Sequence, residues 1–399
     1  MRLIGTAPRA GVLLAVSVVA YLVTRALLHP SMIDFAVYRV EGDALRRGHR
    51  LYENLPTPQG LLATYPPFAA AVFVPAAMLS WPVARALAVA GNLVLLVVVS
   101  RQSVRLAGIT GPSALGSTAV IAAVTLWAEP VYTTLGNGQV NLAVLALVLA
   151  DFTCAPQSRW RGVGTGLAAG LKVTPGLFIV YLLLTRRFRA AATATGVFAA
   201  TIAASGVVAP VDTWRYWTRY VWQSGRVGDL ANSTNQSMQG LLARAAGVDR
   251  LPTALAVLCL VVAVAALATA VLAYRRLGEV WGLTCAAVAG LLGAPIAWTH
   301  HWVWCVPITA LVVARRPKWG PLVLVFWTFA LFYLPHKADA VLTFPWWRVA
   351  LTNWYVLFGV GFVAAVWARL RRRPAQAAAP PPPRGAGGRA PPAAPRWPR

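Results

Sequence analysis

"GVGTGLAAGLKVTPGLFIVYLLLT", Gly162–Thr185, is apolar except for Lys172 and lies between Arg159/Arg161 on one side and Arg186/Arg187/Arg189 on the other. Lys and Arg in short loops mark the cytoplasmic face of a membrane. Both ends of the stretch therefore face the same way, and the chain between them must cross an even number of times. It is too short for two full spans of roughly twenty residues across about 30 Å of hydrocarbon. A pair of short helices meets the condition, broken near Lys172-Val-Thr-Pro175, where proline removes a backbone donor.

The rest of the chain supports a membrane reading. Of 399 residues 58% are hydrophobic and 12% charged, with 17 tryptophans and a mean hydropathy of +0.62, more apolar than a soluble domain can cover. The formal charge of +25 would suggest nucleic acid in a soluble protein. Here the basic residues cluster between apolar runs, and no basic face with interleaved aromatics is left for nucleic acid. The cysteines Cys154, Cys259, Cys285 and Cys305 are scattered, as small core residues are, and outline neither a disulfide framework nor a zinc site. The first apolar run, from about Gly11 to Leu28, lacks an A-x-A cleavage site and reads as a retained span.

Further basic clusters at Arg2/Arg9, Arg101/Arg105, Arg275/Arg276, Arg315/Arg316/Lys318 and Arg369/Arg371–Arg373 extend the topology. With all of them cytoplasmic, the loop 29–65, "YTTLGNGQVN", segment 210–250, "AWTHHW" and "PHKADAVLTFPWW" face outward. Pro66–Ser80 must then dip into the membrane or pack as a partly buried helix, because a full span there would put Arg101 and Arg105 outside. Arg39, Arg46, Arg47 and Arg50 oppose the rule within a loop that also carries four acids, Asp34, Glu41, Asp43 and Glu53. The expected fold is an all-α polytopic membrane protein of about twelve spans, some of them short broken helices. Residues 1–370 form the membrane domain. Residues 371–399, with seven arginines and nine prolines, read as a disordered cytoplasmic tail suited to anionic lipid head groups.

Ionisable groups at a membrane are costly and mark function. On the outward side they are Asp34, Glu129, Lys172, His300-His301 and His336-Lys337, while the inward side offers little but arginine. Asp34 could serve as a general base if desolvation raises its pKa, although its spacing alone favours a helix N-cap for "FAVYRVEGDAL". The histidine pair sits among Trp298, Trp302 and Trp304, which suit either an interfacial aromatic belt or sugar stacking. Adjacent histidines lack the i, i+4 spacing and acidic neighbours of a metal site, so no metal is assigned; a proton donor or phosphate ligand fits better, with a structural histidine the alternative for at least one. Lys172 is placed either to bind a lipid phosphate or to snorkel. Asn137, Gln139 and Asn141 in "LGNGQVN", and Asn235 and Gln236 in "NSTNQSMQGLLAR", offer amides to hydroxyl-rich ligands or cap helices. "ATYPPF" reads as a kinked start to a helix, with Tyr65 a candidate to face the site.

Taken together, "DFAVYRVEGDALRRGHRLYE", "TYPPF", "GNGQVNLAVLALVLAD", "GLAAGLKVTPGLFIVYLLLTRRFRA", "NQSMQGLLAR" and "WTHHWVW" resemble, in order over roughly residues 30–305, the blocks of glycosyltransferase family 87. That family includes actinobacterial mannosyltransferases using polyprenyl-phosphate mannose, and related arabinofuranosyltransferases. The resemblance implies a GT-C type enzyme of the plasma membrane, with an extracytoplasmic active site and an inverting single displacement. In that reading Asp34 becomes the general base, reversing the preference for a cap. His300 or His301 assists at the phosphate or positions the acceptor. Lys172, with His336 and Lys337, holds the donor phosphate. Tyr65, Asn137, Gln139, Asn141, Asn235, Gln236, Trp298 and Trp302 are the candidates for sugar and acceptor. The implied partners are a polyprenyl-phosphate sugar and a glycolipid or lipoglycan acceptor within the membrane lipid. No cofactor is implied, and the metal requirement stays open.

Three other functions compete. A polyprenyl-phosphate arabinofuranosyltransferase would share every motif. A lipid or sugar transporter or flippase would place polar residues at mid-membrane and show two related halves, neither of which the sequence displays. A non-catalytic partner of an envelope-synthesis complex would bind lipid yet tolerate loss of Asp34.

Overall fold

The computed structural model describes residues 7–53, 55–327 and 345–372. Among these the regular structure is helical. In chain order it runs α1 (Ala7–Leu28), α2 (Ile33–Arg46), α3 (Pro67–Met78), α4 (Trp81–Leu106), α5 (Ser113–Thr125), α6 (Glu129–Asn137), α7 (Asn141–Thr153), α8 (Val163–Leu171) and α9 (Leu177–Leu184). There follow α10 (Phe188–Val208), α11 (Pro210–Thr218), α12 (Met238–Ala246), α13 (Thr253–Leu277), α14 (Glu279–Gly293), α15 (Cys305–Arg315), α16 (Gly320–Phe326), α17 (Trp346–Thr352) and α18 (Trp354–Arg372).

Five helices, α1, α4, α10, α13 and α18, are long and apolar enough to cross a bilayer, and α5 with α6 forms a sixth candidate bent by 72°. Their outward faces carry rows of exposed Val and Leu, such as Val12, Val16 and Val19 on α1, which hydrocarbon covers where water would not. Shorter apolar helices, α3, α7, α9 with its preceding turn, and α14, fill the space between them. These account for the broken helices expected from the sequence. The stretch 162–185 is α8, an interruption at Lys172–Val173, a 3-10 turn at Thr174–Gly176, and α9. Pro66–Ser80 is the twelve-residue α3, too short to span, packed along α2.

Small residues set the close packing. A Cβ at Gly166 would lie 2.5 Å from the Ala194 carbonyl oxygen, and one at Gly170 would lie 2.5 Å from Thr201 Oγ1. The two glycines, four apart on one face, let α8 rest against α10, as small-xxx-small stripes do in membranes. Three of the four arginines that oppose the topology rule have local partners. Arg39 donates to the carbonyls of Ala76 (2.9 Å) and Leu79 (2.5 Å) at the end of α3, and Arg46 and Arg47 each stand 2.7 Å from Asp43. The Pro/Arg-rich tail expected from Arg371 onward lies outside the described residues, apart from its first two arginines at the end of α18.

Candidate active site

Three chain interruptions meet at one end of the bundle, and each has a sequence cause. Between α6 and α7, Gly138 takes the left-handed conformation (φ 69°) as a helix cap. A Cβ there would stand 2.5 Å from Phe35 Cβ, so only glycine lets this turn close on α2. Between α8 and α9, Pro175 interrupts the helix and leaves Lys172 extended. After α14, "GAPIAWTHHW" leaves the helix at Ala294 and re-forms as a 3-10 turn over Thr299–Trp304.

The first two interruptions act on Asp34. This residue is the second of α2 and does not cap it, since Met32 holds the N-cap position with φ 49° and makes no side-chain cap. The side chains of Gln139 and Asn137 stand beside its carboxylate, close enough to favour the charged form. Gln139 is held by two phenols: the hydroxyls of Tyr38 and Tyr65 lie 2.6 and 3.0 Å from its Oε1, which leaves its amide nitrogen as a donor beside Asp34. Burial pushes the Asp34 carboxyl above the usual carboxylate range, and Gln139, Lys172 and Asn137 offset only part of that rise.

Lys172 and His301 form the other half. Lys172 Nζ donates to Asn141 Oδ1 at 2.9 Å, stands 3.0 Å from His301 Nε2 and lies 5.4 Å from the Tyr65 ring centroid. When Lys172 is an ammonium it can only donate, and His301 then accepts on Nε2 and carries its proton on Nδ1. Asn141 also donates to the His300 carbonyl at 2.8 Å, and Thr134 donates to it at 3.2 Å, which fixes the histidine turn against the start of α7.

Two cavities open from this cluster. One, of about 340 Å³, is polar on one wall with Asp34, Gln139, Lys172 and His301, and aromatic on another with Tyr65, Tyr220 and Trp298. The second, of about 390 Å³, is apolar and runs between α7, α9, α13 and α14, past Val144, Phe178, Leu260 and Val264. Leu260 and Val264 also lie among the lipid-facing residues of α13. The cavities meet at Lys172, Thr174, His301 and the Ala294–Ile296 segment. A charged head and an apolar chain would fit the two together.

Other candidates are occupied elsewhere. Asn235 is fully buried, donates to the carbonyls of Leu230 and Pro295 and accepts from the Ala297 N–H, tying the long loop to the segment before the histidines. Gln236 donates to Ser233 and Thr352 carbonyls and accepts from Tyr355 N–H. Trp302 is fully buried against Trp327 and Tyr355, with its indole N–H on the Gln236 carbonyl. Neither amide nor Trp302 lines either of these two cavities; the three hold the histidine turn down. His300 is also buried beside the site; its ring meets His301 edge-on at 4.9 Å, and of the two only His301 lines the cavities. Glu129 accepts from Thr133 and Tyr355 hydroxyls, away from both cavities. His336 and Lys337 lie outside the described residues.

Sequence reading passed over Tyr38 and Arg226. Tyr38 follows Asp34 by four residues, the spacing that shares a helix face, so the signal was present. Arg226 lines the polar cavity, its guanidinium 4.6 Å over Tyr220, and is one arginine in a long loop without any pattern around it. Among the described residues no group of three or more His, Cys, Asp and Glu is placed to hold a metal ion.

The sequence model of glycosyltransferase family 87 matches residues 63–299. The chain belongs to glycosyltransferase family 87. It is 32% identical over 385 residues, 88% of each chain, to a polyprenol-phosphate-mannose-dependent alpha-(1-2)-phosphatidylinositol mannoside mannosyltransferase of Mycobacterium tuberculosis. It is 34% identical over 336 residues, 79% of this chain and 80% of the relative, to the corresponding phosphatidylinositol pentamannoside mannosyltransferase of Mycolicibacterium smegmatis. No solved structure matches the chain. The family 87 match takes in Tyr65, Asn137, Gln139, Lys172 and Trp298; Asp34 and His301 lie outside its limits and join them in space.

Proposed function

We propose that this family 87 member transfers mannose from a polyprenyl-phosphate donor to a hydroxyl of a glycolipid, with phosphatidylinositol mannosides the acceptor class its relatives suggest. The observation that carries the reading is that Asp34 and Lys172 share one polar cavity, and that an apolar cavity leaves it from the Lys172 side.

The polyprenyl chain takes the apolar cavity, whose Leu260 and Val264 edge borders lipid. Its phosphate then reaches Lys172, with the sugar projecting toward Asp34. The acceptor hydroxyl lies against Asp34, whose carboxylate takes the proton as the oxygen attacks the anomeric carbon. The bond from that carbon to the phosphate oxygen breaks, and the electron pair leaves on the polyprenyl phosphate. A single displacement of this kind inverts the anomeric centre. Lys172, already oriented by Asn141 and His301, meets the charge as it develops, which is the form of electrostatic help that most lowers barriers. The raised pKa of Asp34 makes it a stronger base than a solvated carboxylate. Tyr220 and Trp298 offer ring faces to the acceptor sugars, and Arg226 offers a cation to an anionic one.

We place the site on the extracytoplasmic face. Support comes from the arginines: Arg161 and Arg187 lie at the far ends of α8 and α9, which finish and start at the site, and Arg105 lines one cavity with both of them there.

The test is label transfer in membranes from radiolabelled polyprenyl-phosphate mannose to an added phosphatidylinositol mannoside, by wild type and Asp34→Asn. Transfer by wild type alone, at equal abundance, supports the reaction and its base. Equal transfer by both removes Asp34 from the chemistry. Transfer by neither, with activity on an arabinofuranosyl donor, replaces the sugar and leaves the geometry in use.

A further inference from the structure

A second charged cavity lies at the far end of the same helices. It measures about 630 Å³ and is lined by Arg105, Arg161, Arg186, Arg187 and Arg189, with Glu279 the acid among its lining residues. Its charged residues come from four separate places, the end of α4, the loop just before α8, the α9–α10 turn and the first residue of α14, and the ends of α7 and α13 add Phe152 and Tyr274. It is remote from Asp34. α7 and α14 each run from the Asp34 end to this one, and at about 1.5 Å per residue each covers roughly 20 Å.

The bland account is that these arginines mark topology and neutralise the carbonyl ends of helices. It explains the exposed ones. It does not explain Arg161 and Arg187. Their Nη2 atoms lie 3.5 and 2.9 Å from the two oxygens of Glu279, which engages each guanidinium through one nitrogen only. Arg161 Nε and Arg187 Nε and Nη1 remain buried without a hydrogen-bond partner. Leaving such donors unpaired costs about 1–3 kcal/mol each, more when they are charged. Nor are these side chains free to swing out to water. The Arg187 guanidinium is held 4.2 Å from the Tyr274 ring centroid and 5.4 Å from that of Phe152, with Tyr181 at 5.6 Å. A guanidinium fixed among three rings, with in-plane N–H groups unmet, is prepared for a planar or tetrahedral oxyanion.

We propose that this cavity binds a phosphate-bearing anion, with Arg161 and Arg187 as its buried ligands and Arg186 and Arg189 at its mouth. The chemistry is shared by an anionic lipid head group and by free phosphate. Phe188, which lines the same cavity and is 62% exposed, supplies an apolar contact that acyl chains would use and a free ion would not. The lipid is therefore the source we expect. The proposal does not depend on the transfer reaction.

Both ends of the protein are accessible in detergent, so the full chain purified in a neutral detergent is sufficient. Its apparent Tm is followed while phosphatidylglycerol, phosphatidylcholine or inorganic phosphate is titrated in, for wild type, Arg186→Gln/Arg189→Gln and Arg161→Gln. The exposed pair is chosen so that folding survives, which the Tm without additive checks. The expected result is a saturable rise with phosphatidylglycerol, absent with phosphatidylcholine, whose half-point moves about tenfold or more in both variants. An equal rise with inorganic phosphate, lost in the same variants, keeps the site and makes its ligand the free ion. A phosphatidylglycerol response identical in wild type and both variants, or no response to either anion, overturns it.

Discussion

Lys172 Nζ lies 3.0 Å from His301 Nε2, an ammonium and an imidazole joined across 129 positions of sequence. Protonating His301 would set two cations together, so the pair works only with a neutral ring. His301→Gln keeps an acceptor, its side-chain oxygen, whereas His301→Ala leaves Lys172 with Asn141 alone. We expect kcat/KM for mannosyl transfer to fall at least about tenfold in His301→Ala and to recover in part in His301→Gln. Equal losses in the two would show that the acceptor is irrelevant.

Asp34→Asn keeps the shape of the side chain and removes the proton acceptor. Transfer should fall by about 10²-fold or more, the usual scale for a general base. The pH profile carries the finer check. Asp34 must be ionised to act, and its pKa is already raised, so wild-type activity should fail on the acid side above the ordinary carboxylate range. Lys172 lowers that pKa, so Lys172→Met should move the acid limb to higher pH as well as reducing kcat.

Glu41, on α2 beside the site, is buried, and burial pushes its carboxyl up to about 8 from 4.5, with a hydrogen bond from the Thr64 backbone pulling the other way. Between those values the folded chain keeps a proton that the unfolded chain has lost. Stability from this group therefore falls as pH rises from about 4.5 to about 8, with a limiting slope of about 1.4 kcal/mol per pH unit. Glu41→Gln removes that slope. The variant should gain Tm over wild type between pH 5 and pH 8, and a parallel pair of curves would reject the burial argument.

Gly138→Ala asks a residue with a Cβ to take φ 69° at 2.5 Å from Phe35 Cβ. About 1 kcal/mol goes to the backbone alone, and α2 must also retreat. Because the same turn carries Asn137 and Gln139 to Asp34, transfer should drop more steeply than abundance or Tm. Gln236→Ala should show the opposite split, since its three hydrogen bonds fasten Tyr355, Thr352 and Ser233 and it lines neither of the two cavities. A lower Tm with unchanged KM is the outcome that fits.

The helical class, the broken pair at Lys172 and the short α3 were legible because arginine periodicity and proline chemistry act locally. Asp34, Lys172 and the Asn137–Asn141 amides could be proposed for the same reason: a charge or a run of amides in apolar sequence is conspicuous. What the sequence concealed was destination. Asn235 and Gln236 have the same composition as Asn137 and Gln139, yet one pair faces backbone carbonyls and the other a carboxylate, and only the path of the long loop decides between them. The histidines show the limit in its smallest form. They are adjacent, and a 3-10 turn, fixed by Asn141 and Thr134 from a helix far away in sequence, puts one ring into the cavity and the other into the protein.

Lys172 and His301 line both cavities, and that shared lining has a bearing on traffic in the proposed reaction. On the reaction proposed above, the donor's lipid chain arrives sideways from the bilayer and only its sugar enters the chamber where the acceptor waits. The spent polyprenyl phosphate can withdraw along the same lateral route while the extended glycolipid departs by the other door. Entrance and exit for the two lipids are thus separate, and neither product needs to queue behind the other.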